Sequence, residues 1–172
     1  MKERRIEKRA GFSLVELLIV IGVIAILVGG VGLSIALLRS TDTKSAAYEI
    51  NSSLTDLKSR TTGGKKQPYL YLYCLNNTYY LDMKNVEPDA YTPTTEAKEI
   101  GDTRLKIAYG AGKTAVQDAP DGFLCLALRK KDGAFLDEGK CVCPEKITIE
   151  DKKFSYVVHL VKDTGRHYVE EK

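Results

Sequence analysis

Residues 12–38 form an apolar run that contains one ionisable side chain, Glu16. A membrane-spanning helix needs about 20 apolar residues, and this run exceeds that length. A carboxylate within hydrocarbon is costly unless it is neutralised, so Glu16 indicates a function that a plain anchor does not require. The run therefore predicts a transmembrane helix in which one charge has a specific role.

The residues before this run predict its orientation. Residues 1–11 hold five basic side chains against two acidic ones. Such a basic flank stays in the cytoplasm, which places the C-terminal part outside. A secretory signal peptide has a shorter apolar run of about 7–15 residues before a small-residue cleavage site. No such site follows the run here, so a plain signal-anchor remains the simpler alternative.

The charge balance changes once the first eleven residues are removed. The whole chain has 26 basic and 23 acidic residues, whereas residues 12–172 have 21 of each. A neutral chain gives no bulk electrostatic reason to expect nucleic-acid binding.

Gly11 lies between the basic leader and the apolar run. A cut between Gly11 and Phe12 would give Phe12 a free α-amine one helical turn before Glu16, at i, i+4 spacing. The amine and the carboxylate would compensate each other within one chain or between neighbouring chains. Pairing between chains would set the stagger of successive subunits, which indicates assembly chemistry rather than catalysis.

The stretch from Arg9 to Leu18, RAGFSLVELL, resembles the processing signature of type IV prepilins and type II secretion pseudopilins. Gly11 matches the last leader residue, Phe12 the new N-terminus and Glu16 the fifth mature residue. The resemblance implies cleavage by an aspartic prepilin peptidase on the cytoplasmic face and N-methylation of Phe12. It also implies that Glu16 helps to dock and register the subunit in the filament core.

The run departs from many pilins in having no proline near its middle. It has Gly29, Gly30 and Gly32 instead. These glycines predict either a softened stretch of helix, since each costs about 1 kcal/mol relative to alanine, or close packing between helices.

The remainder of the chain predicts an α+β protein. Residues 39–62 have an apolar stripe at helical spacing, so we expect the long N-terminal helix to continue as an amphipathic second half that ends near Gly63. We expect a β-rich pilin head over residues 63–172, with an antiparallel sheet packed on the helix. Strands are predicted near 69–75, 78–83, 105–109, 123–129, 146–150, 154–162 and 166–170, and residues 85–103 as a surface loop.

The end of the chain also resembles a known family. Residues 154–161 and the turn Thr164-Gly165-Arg166 are similar to the last strands of H-type pseudopilin and FimT-like minor pilin heads. This resemblance favours a minor pilin or pseudopilin over a major one.

Four cysteines, Cys74, Cys125, Cys141 and Cys143, lie in the predicted head and are candidates for disulfide bonds outside the membrane. In an extended Cys141-Val142-Cys143 the two thiols point to opposite faces, so they do not pair with each other. We expect Cys125 to bond one of the two. Cys74 is then either the partner of the other or free.

Catalytic and metal sites are not indicated by the sequence. The cysteine spacing lacks the paired C-x₂-C of structural zinc sites, so we expect no metal and no cofactor. His159 and His167 fall in the last two predicted strands and would face each other across the hairpin. No nucleophile and base accompany them, so we expect no enzyme activity.

Five tyrosines crowd into the first predicted hairpin, at 69, 71, 73, 79 and 80. They predict either an aromatic cluster packed within the protein or an exposed patch that binds DNA, a glycan or another subunit.

Three functions compete on this basis. The first is a structural subunit, a minor pilin or pseudopilin, of a type IV pilus-like filament. The second is a binding module at a filament tip, of the competence or adhesin kind, for DNA or a surface ligand. The third is an unprocessed signal-anchored surface protein.

The first function implies a set of partners and a location. The partners are other pilin subunits, the prepilin peptidase, the inner-membrane assembly platform and membrane lipid before assembly; nucleic acid has no support. The location is a single pass in the cytoplasmic membrane with the head outside, then a surface or periplasm-spanning filament.

Overall fold

The first element of the described residues is one long helix. A computed structural model describes residues 14–172, although the side chains of residues 26–41 are not described. Helix α1 spans Leu14–Gly63. Its backbone is helical through Gly29, Gly30 and Gly32, and the two roles predicted for these glycines stay predictions. The helix ends where the Gly64 amide bonds the Arg60 carbonyl at 2.8 Å.

The chain divides into two compact units, Met1–Leu38 and Arg39–Lys172. Helix α1 contributes residues to both of them. In the described part of the chain, no helix combines the length and the apolar character that crossing a membrane requires.

The second unit is rich in short strands. Within the described residues they are β1 (Tyr69–Leu75), β2 (Thr78–Lys84), β3 (Lys98–Asp102), β4 (Lys106–Tyr109), β5 (Thr114–Ala115), β6 (Phe123–Leu126), β7 (Lys146–Glu150), β8 (Ser155–Val161) and β9 (Arg166–Glu171). Short 3-10 helices lie at Pro88–Ala90 and Val116–Asp118.

The strands form two antiparallel sheets. One has the order β3-β2-β1-β6 and the other has the order β5-β4-β7-β8-β9. The α+β class with antiparallel strands is therefore confirmed, but the head contains two sheets where the sequence suggested one. Alternation along a strand predicts which face is buried, and it does not reveal how many sheets the strands are divided between.

The first hairpin follows directly from its turn. Asn76 and Asn77 have φ angles of 51° and 63°, the positive values that a two-residue turn between right-twisted strands requires. Leu75 then pairs with Thr78, and the register continues to Tyr69 opposite Lys84.

The main core joins α1 to one face of each sheet. From the helix it takes the predicted stripe, which is buried: Ala46, Ala47, Ile50, Leu54 and Leu57. Leu70 and Leu72 of β1 belong to this core, as do Ile147 and Ile149 of β7. Tyr71 and Tyr73 point away from it into a second cluster on the opposite face of the first sheet, as the two-residue period of a strand requires.

The prediction of one surface loop over residues 85–103 was wrong. This segment contains the Pro88–Ala90 turn of 3-10 helix and the edge strand β3, which pairs with β2. Strand β3 reads KEIGD, and its one apolar side chain, Ile100, gives no alternating pattern. Its structure comes from backbone pairing at a sheet edge, where charged side chains are normal.

The two histidines do not face each other. His159 pairs with Tyr168 and Leu160 pairs with His167, so the histidines lie on opposite faces of the β8–β9 hairpin. His159 bonds Glu170 at 2.7 Å, whereas His167 contacts the Thr55 hydroxyl of α1 at 3.0 Å.

Candidate functional site

The predicted cleavage residues, Gly11 and Phe12, lie outside the described residues. Glu16 lies within them, in the first turn of α1. The partial positive charge at a helix N-terminus favours an acidic side chain at this position. Glu16 is exposed, and it forms no ion pair with another of the described residues.

Residues 14–25 of α1 form what we call the apolar helix start. Its large hydrophobic side chains are between 47% and 78% exposed. They occupy consecutive positions and so surround the helix instead of forming a stripe. Glu16 is the one charged residue among them. The apolar helix start therefore presents apolar side chains all round, with a single carboxylate near its beginning.

A helix with apolar side chains all round is normally buried, either in the core of a large protein or in a membrane. Exposed apolar surface of this extent marks a place where another molecule packs. The chemistry available to the apolar helix start is therefore association, with Glu16 able to accept hydrogen bonds or pair with a cation.

Two of the four cysteines lie side by side. Cys125 in β6 and Cys141 are partners in an isolated parallel β-bridge. Both are buried, and both belong to the second cluster. A hydrogen bond with Cys141, together with burial, raises the pKa of the Cys125 thiol. The contact between the two thiols lowers the pKa of Cys141.

The other two cysteines lie apart from this pair. Cys74 and Cys143 are half-buried at the margin of the main core, on the opposite side of the first sheet from Cys125. Burial raises the pKa of Cys74 and brings that of Cys143 to about 11. Cys141 and Cys143 thus contact different clusters, in line with the alternation expected of an extended Cys-Val-Cys.

The tyrosines of the first hairpin are mostly buried. Tyr71 and Tyr73 have no exposed surface, and Tyr79 and Tyr80 are also buried. Tyr79 belongs to the main core. The segment between β2 and β3 covers the opposite face, where the Tyr73 hydroxyl donates to the Thr94 carbonyl at 2.8 Å. Burial raises the pKa of Tyr71. The described surface therefore lacks the exposed aromatic hairpin that a stacking platform for bases or sugars needs.

Tyr91 is a residue that sequence reasoning missed. It belongs to the segment between β2 and β3 and closes the second cluster from outside, stacked on Tyr71. Its hydroxyl donates to the Asp82 carboxylate at 2.9 Å. An aromatic residue among prolines, threonines and acids was the signal that could have identified it.

No group of three or more histidines, cysteines or acidic residues is arranged to hold a metal ion in the described part of the chain.

A family model described as the prokaryotic N-terminal methylation motif matches residues 7–32. These residues contain Gly11, Phe12 and Glu16 and reach through the apolar helix start. No curated protein and no solved structure matches the chain.

Proposed function

Since this chain carries the prepilin-type methylation motif over residues 7–32, we propose that it is a structural subunit of a type IV pilus-like filament. In this proposal a prepilin peptidase cuts after Gly11 and the new N-terminus, Phe12, is methylated. The role is structural, and the chain performs no catalysis itself.

The observation that carries the proposal is the exposed apolar helix start. Its consecutive hydrophobic side chains have no packing partner among the described residues and are about half exposed or more. Hydrocarbon before assembly and the same helix of neighbouring subunits after assembly are both partners that suit such a surface. A helix needed only as an anchor would have no use for Glu16.

Glu16 is proposed to set the position of the subunit. It forms no ion pair with the described residues, so its carboxylate is available to a cation from elsewhere. Cleavage would create one at Phe12, one helical turn earlier in the sequence. In apolar surroundings a pair of opposite charges attracts far more strongly than in water. If the Phe12 amine of one chain paired with the Glu16 carboxylate of its neighbour, any stagger of the two chains that separated these charges would therefore be unfavourable.

Membrane insertion is proposed from the sequence of residues 12–38 and their basic flank. The leader would remain in the cytoplasm and the β-rich head would lie outside, in accordance with the distribution of positive charge. The subunit would then leave the bilayer through an inner-membrane assembly platform and join other pilin subunits.

Within this class we propose a minor pilin or pseudopilin. The support is the resemblance of residues 154–166 to the last strands of H-type and FimT-like heads. The alternative of a tip module that binds through the tyrosine hairpin loses its main argument, because Tyr71 and Tyr73 are fully buried.

The proposal is tested by incorporation into filaments. Glu16→Gln keeps the size of the side chain and removes its charge. We expect this variant to be inserted and cleaved normally but to be depleted at least tenfold from sheared surface filaments. The measurement is immunoblotting of sheared and membrane fractions from the native host, with the full-length chain at its natural level.

A matched control is Glu99→Gln, which removes an exposed carboxylate from edge strand β3. This variant should enter filaments as well as the unaltered chain does. Equal incorporation of Glu16→Gln and Glu99→Gln would contradict the role given to Glu16. A chain that is never found in sheared filaments, whatever its residue 16, would contradict the filament proposal itself.

A further inference from the structure

The geometry selects one pair among the four cysteines. Cys125 and Cys141 are partners in a parallel bridge, and the Val142 amide donates to the Cys125 carbonyl at 3.1 Å. Neighbouring extended segments lie about 4.7–4.9 Å apart. Disulfides need Cα atoms about 4.4–6.8 Å apart, so the backbone here is already positioned for a bond.

The side chains of this pair also point the same way. Both side chains belong to the second cluster, which also contains Tyr71 and Phe123. Cys74 and Cys143 contact the main core instead. Strand alternation directs Cys74 of β1 away from the face that Cys125 shares with Tyr71.

We propose that Cys125 and Cys141 form an intramolecular disulfide in the mature protein, with Cys74 and Cys143 left as thiols. The proposal rests on the proposed function in one respect, since it requires the head to lie outside the cytoplasm, where disulfides persist.

The oxidant is a thiol oxidoreductase of the cell envelope that carries a reactive disulfide. The Cys141 thiolate attacks one sulfur of that disulfide, forms a mixed disulfide and releases the second sulfur as a thiolate. Cys125 then loses its proton and attacks the Cys141 sulfur. The protein disulfide forms, and the first sulfur of the oxidoreductase leaves as a thiolate. Two electrons and two protons have then passed to the oxidoreductase, which ends as a dithiol.

The order of attack follows from the surroundings of the two sulfurs. Cys125 has no exposed surface and lies within β6, whereas Cys141 is 4% exposed and lies in a segment held by isolated bridges to Cys125 and Glu138. The contact with Cys125 also lowers the pKa of Cys141, which favours its thiolate. Local opening of this segment exposes Cys141 first.

The Cys125–Cys141 disulfide would stabilise one edge of the first sheet. Strand β6 is the last strand in the order β3-β2-β1-β6, and the segment around Cys141 lies along its open side. An unprotected edge strand is a site for unwanted pairing with other chains. The disulfide would fix this covering segment to the strand and close the intervening loop.

The test uses the full-length chain, recovered from native membranes and sheared material without reductant. It is denatured in an alkylating reagent, and the peptides are mapped by mass. We expect Cys74 and Cys143 to be alkylated and a disulfide-linked peptide to join Cys125 to Cys141. A linkage of Cys125 to Cys74 or Cys143, or alkylation of all four cysteines, would overturn the proposal.

Thermal unfolding in detergent provides a second readout. Closing a loop of this length should raise the unfolding midpoint on the order of 10 °C. Reductant should remove that gain from the unaltered chain and from the control variants Cys74→Ala and Cys143→Ala. It should leave the midpoint of Cys141→Ser unchanged. The same reductant effect in Cys141→Ser would contradict the assignment.

The same mass spectra separate this inference from the proposed function. A chain that begins at Phe12 with four free thiols would overturn the disulfide alone. A chain that begins at Met1 and contains the disulfide would support the pairing and overturn the proposed processing.

Discussion

The ring of Tyr91 lies flat on the ring of Tyr71, with centroids 3.6 Å apart and planes within 3° of parallel. Phe123 contacts both rings edge-on. The hydroxyl of Tyr91 donates to Asp82, which is 8% exposed. This stack fixes the segment between β2 and β3 over the second cluster and explains why the tyrosine-rich hairpin is buried.

The first prediction concerns the two parts of the Tyr91 side chain. Among the described residues, Tyr91→Phe leaves the Asp82 carboxylate with the 3.7 Å ion pair to Lys84, and the change should cost about 1–2 kcal/mol. Tyr91→Ala also removes the stacked ring and should cost about 3 kcal/mol. Urea unfolding of the detergent-solubilised chain, followed by near-ultraviolet circular dichroism, measures both costs.

The control for the missing hydroxyl is Tyr168→Phe. Tyr168 is 53% exposed on edge strand β9, so this change should stay within about 0.5 kcal/mol. Tyr91→Phe and Tyr168→Phe variants of equal stability would contradict the role given to the Tyr91–Asp82 bond.

The hairpin and the helix stripe were predictable because each has a local cause. Asn76-Asn77 tolerates positive φ angles, and residues 46–57 repeat apolar side chains at helical spacing. The cover provided by Tyr91 and the pairing of β3 have no local cause. They depend on contacts between distant segments, which the periodicity of a sequence does not show. Strand β5 was missed for another reason: it is only two residues long, which is too short for an alternating pattern.

The buried stripe of α1 gives a second prediction. Leu54 is fully buried against both sheets' core residues, so Leu54→Ala should lower the free energy of unfolding by about 2–5 kcal/mol. Ser52→Ala, on the exposed side of the same helix, should change it by less than about 0.5 kcal/mol. The measurement is the urea midpoint of unfolding of each variant. A Leu54→Ala midpoint equal to that of Ser52→Ala would contradict the packing of Leu54 in the main core.

A third prediction concerns Gly165, in the turn between β8 and β9. Its φ angle is +59°, and an added Cβ would overlap the Gly133 carbonyl oxygen and press on Leu128. Gly165→Ala should therefore cost about 3 kcal/mol or more. Gly112→Ala is the matched control, because an added Cβ there meets nothing within 4 Å. A Gly165→Ala protein as stable as Gly112→Ala would show that this close approach does not exist.

The fourth prediction is a pH dependence from His167. The pKa of His167 lies below the ordinary value of 6.5, mainly because the ring is partly removed from water and to a smaller extent because Lys58 is nearby. The unfolded chain then binds more protons than the folded chain between the lowered pKa and 6.5, so stability should fall as the pH falls below about 6.5. Urea unfolding at several pH values measures this slope.

Two variants isolate the His167 contribution. His167→Gln should flatten the slope below pH 6.5 because the titrating group is gone. Thr55→Val removes the hydroxyl at 3.0 Å from the His167 ring but keeps the half-buried imidazole, so it should retain the slope. An unchanged slope in His167→Gln would assign the pH dependence to other groups.

The candidate site was predictable to different degrees. The prepilin-type motif was predictable from residue types in a fixed order, and a family model matches it over residues 7–32; the separate roles of Gly11, Phe12 and Glu16 stay predictions. The sequence reduced the cysteine pairings but left Cys141 and Cys143 open as partners of Cys125. The β-bridge between Cys125 and Cys141 favours Cys141 over Cys143 as the partner of Cys125. The sequence could not predict this bridge, because it forms between β6 and a segment that is distant along the chain.

The most direct test of the account is the intact mass and N-terminal sequence of the chain from native membranes and sheared surface material. We expect a chain that begins at Phe12 and is heavier than the unmodified peptide by one methyl group. A chain that still begins at Met1, in cells whose prepilin peptidase processes its other substrates, would contradict it.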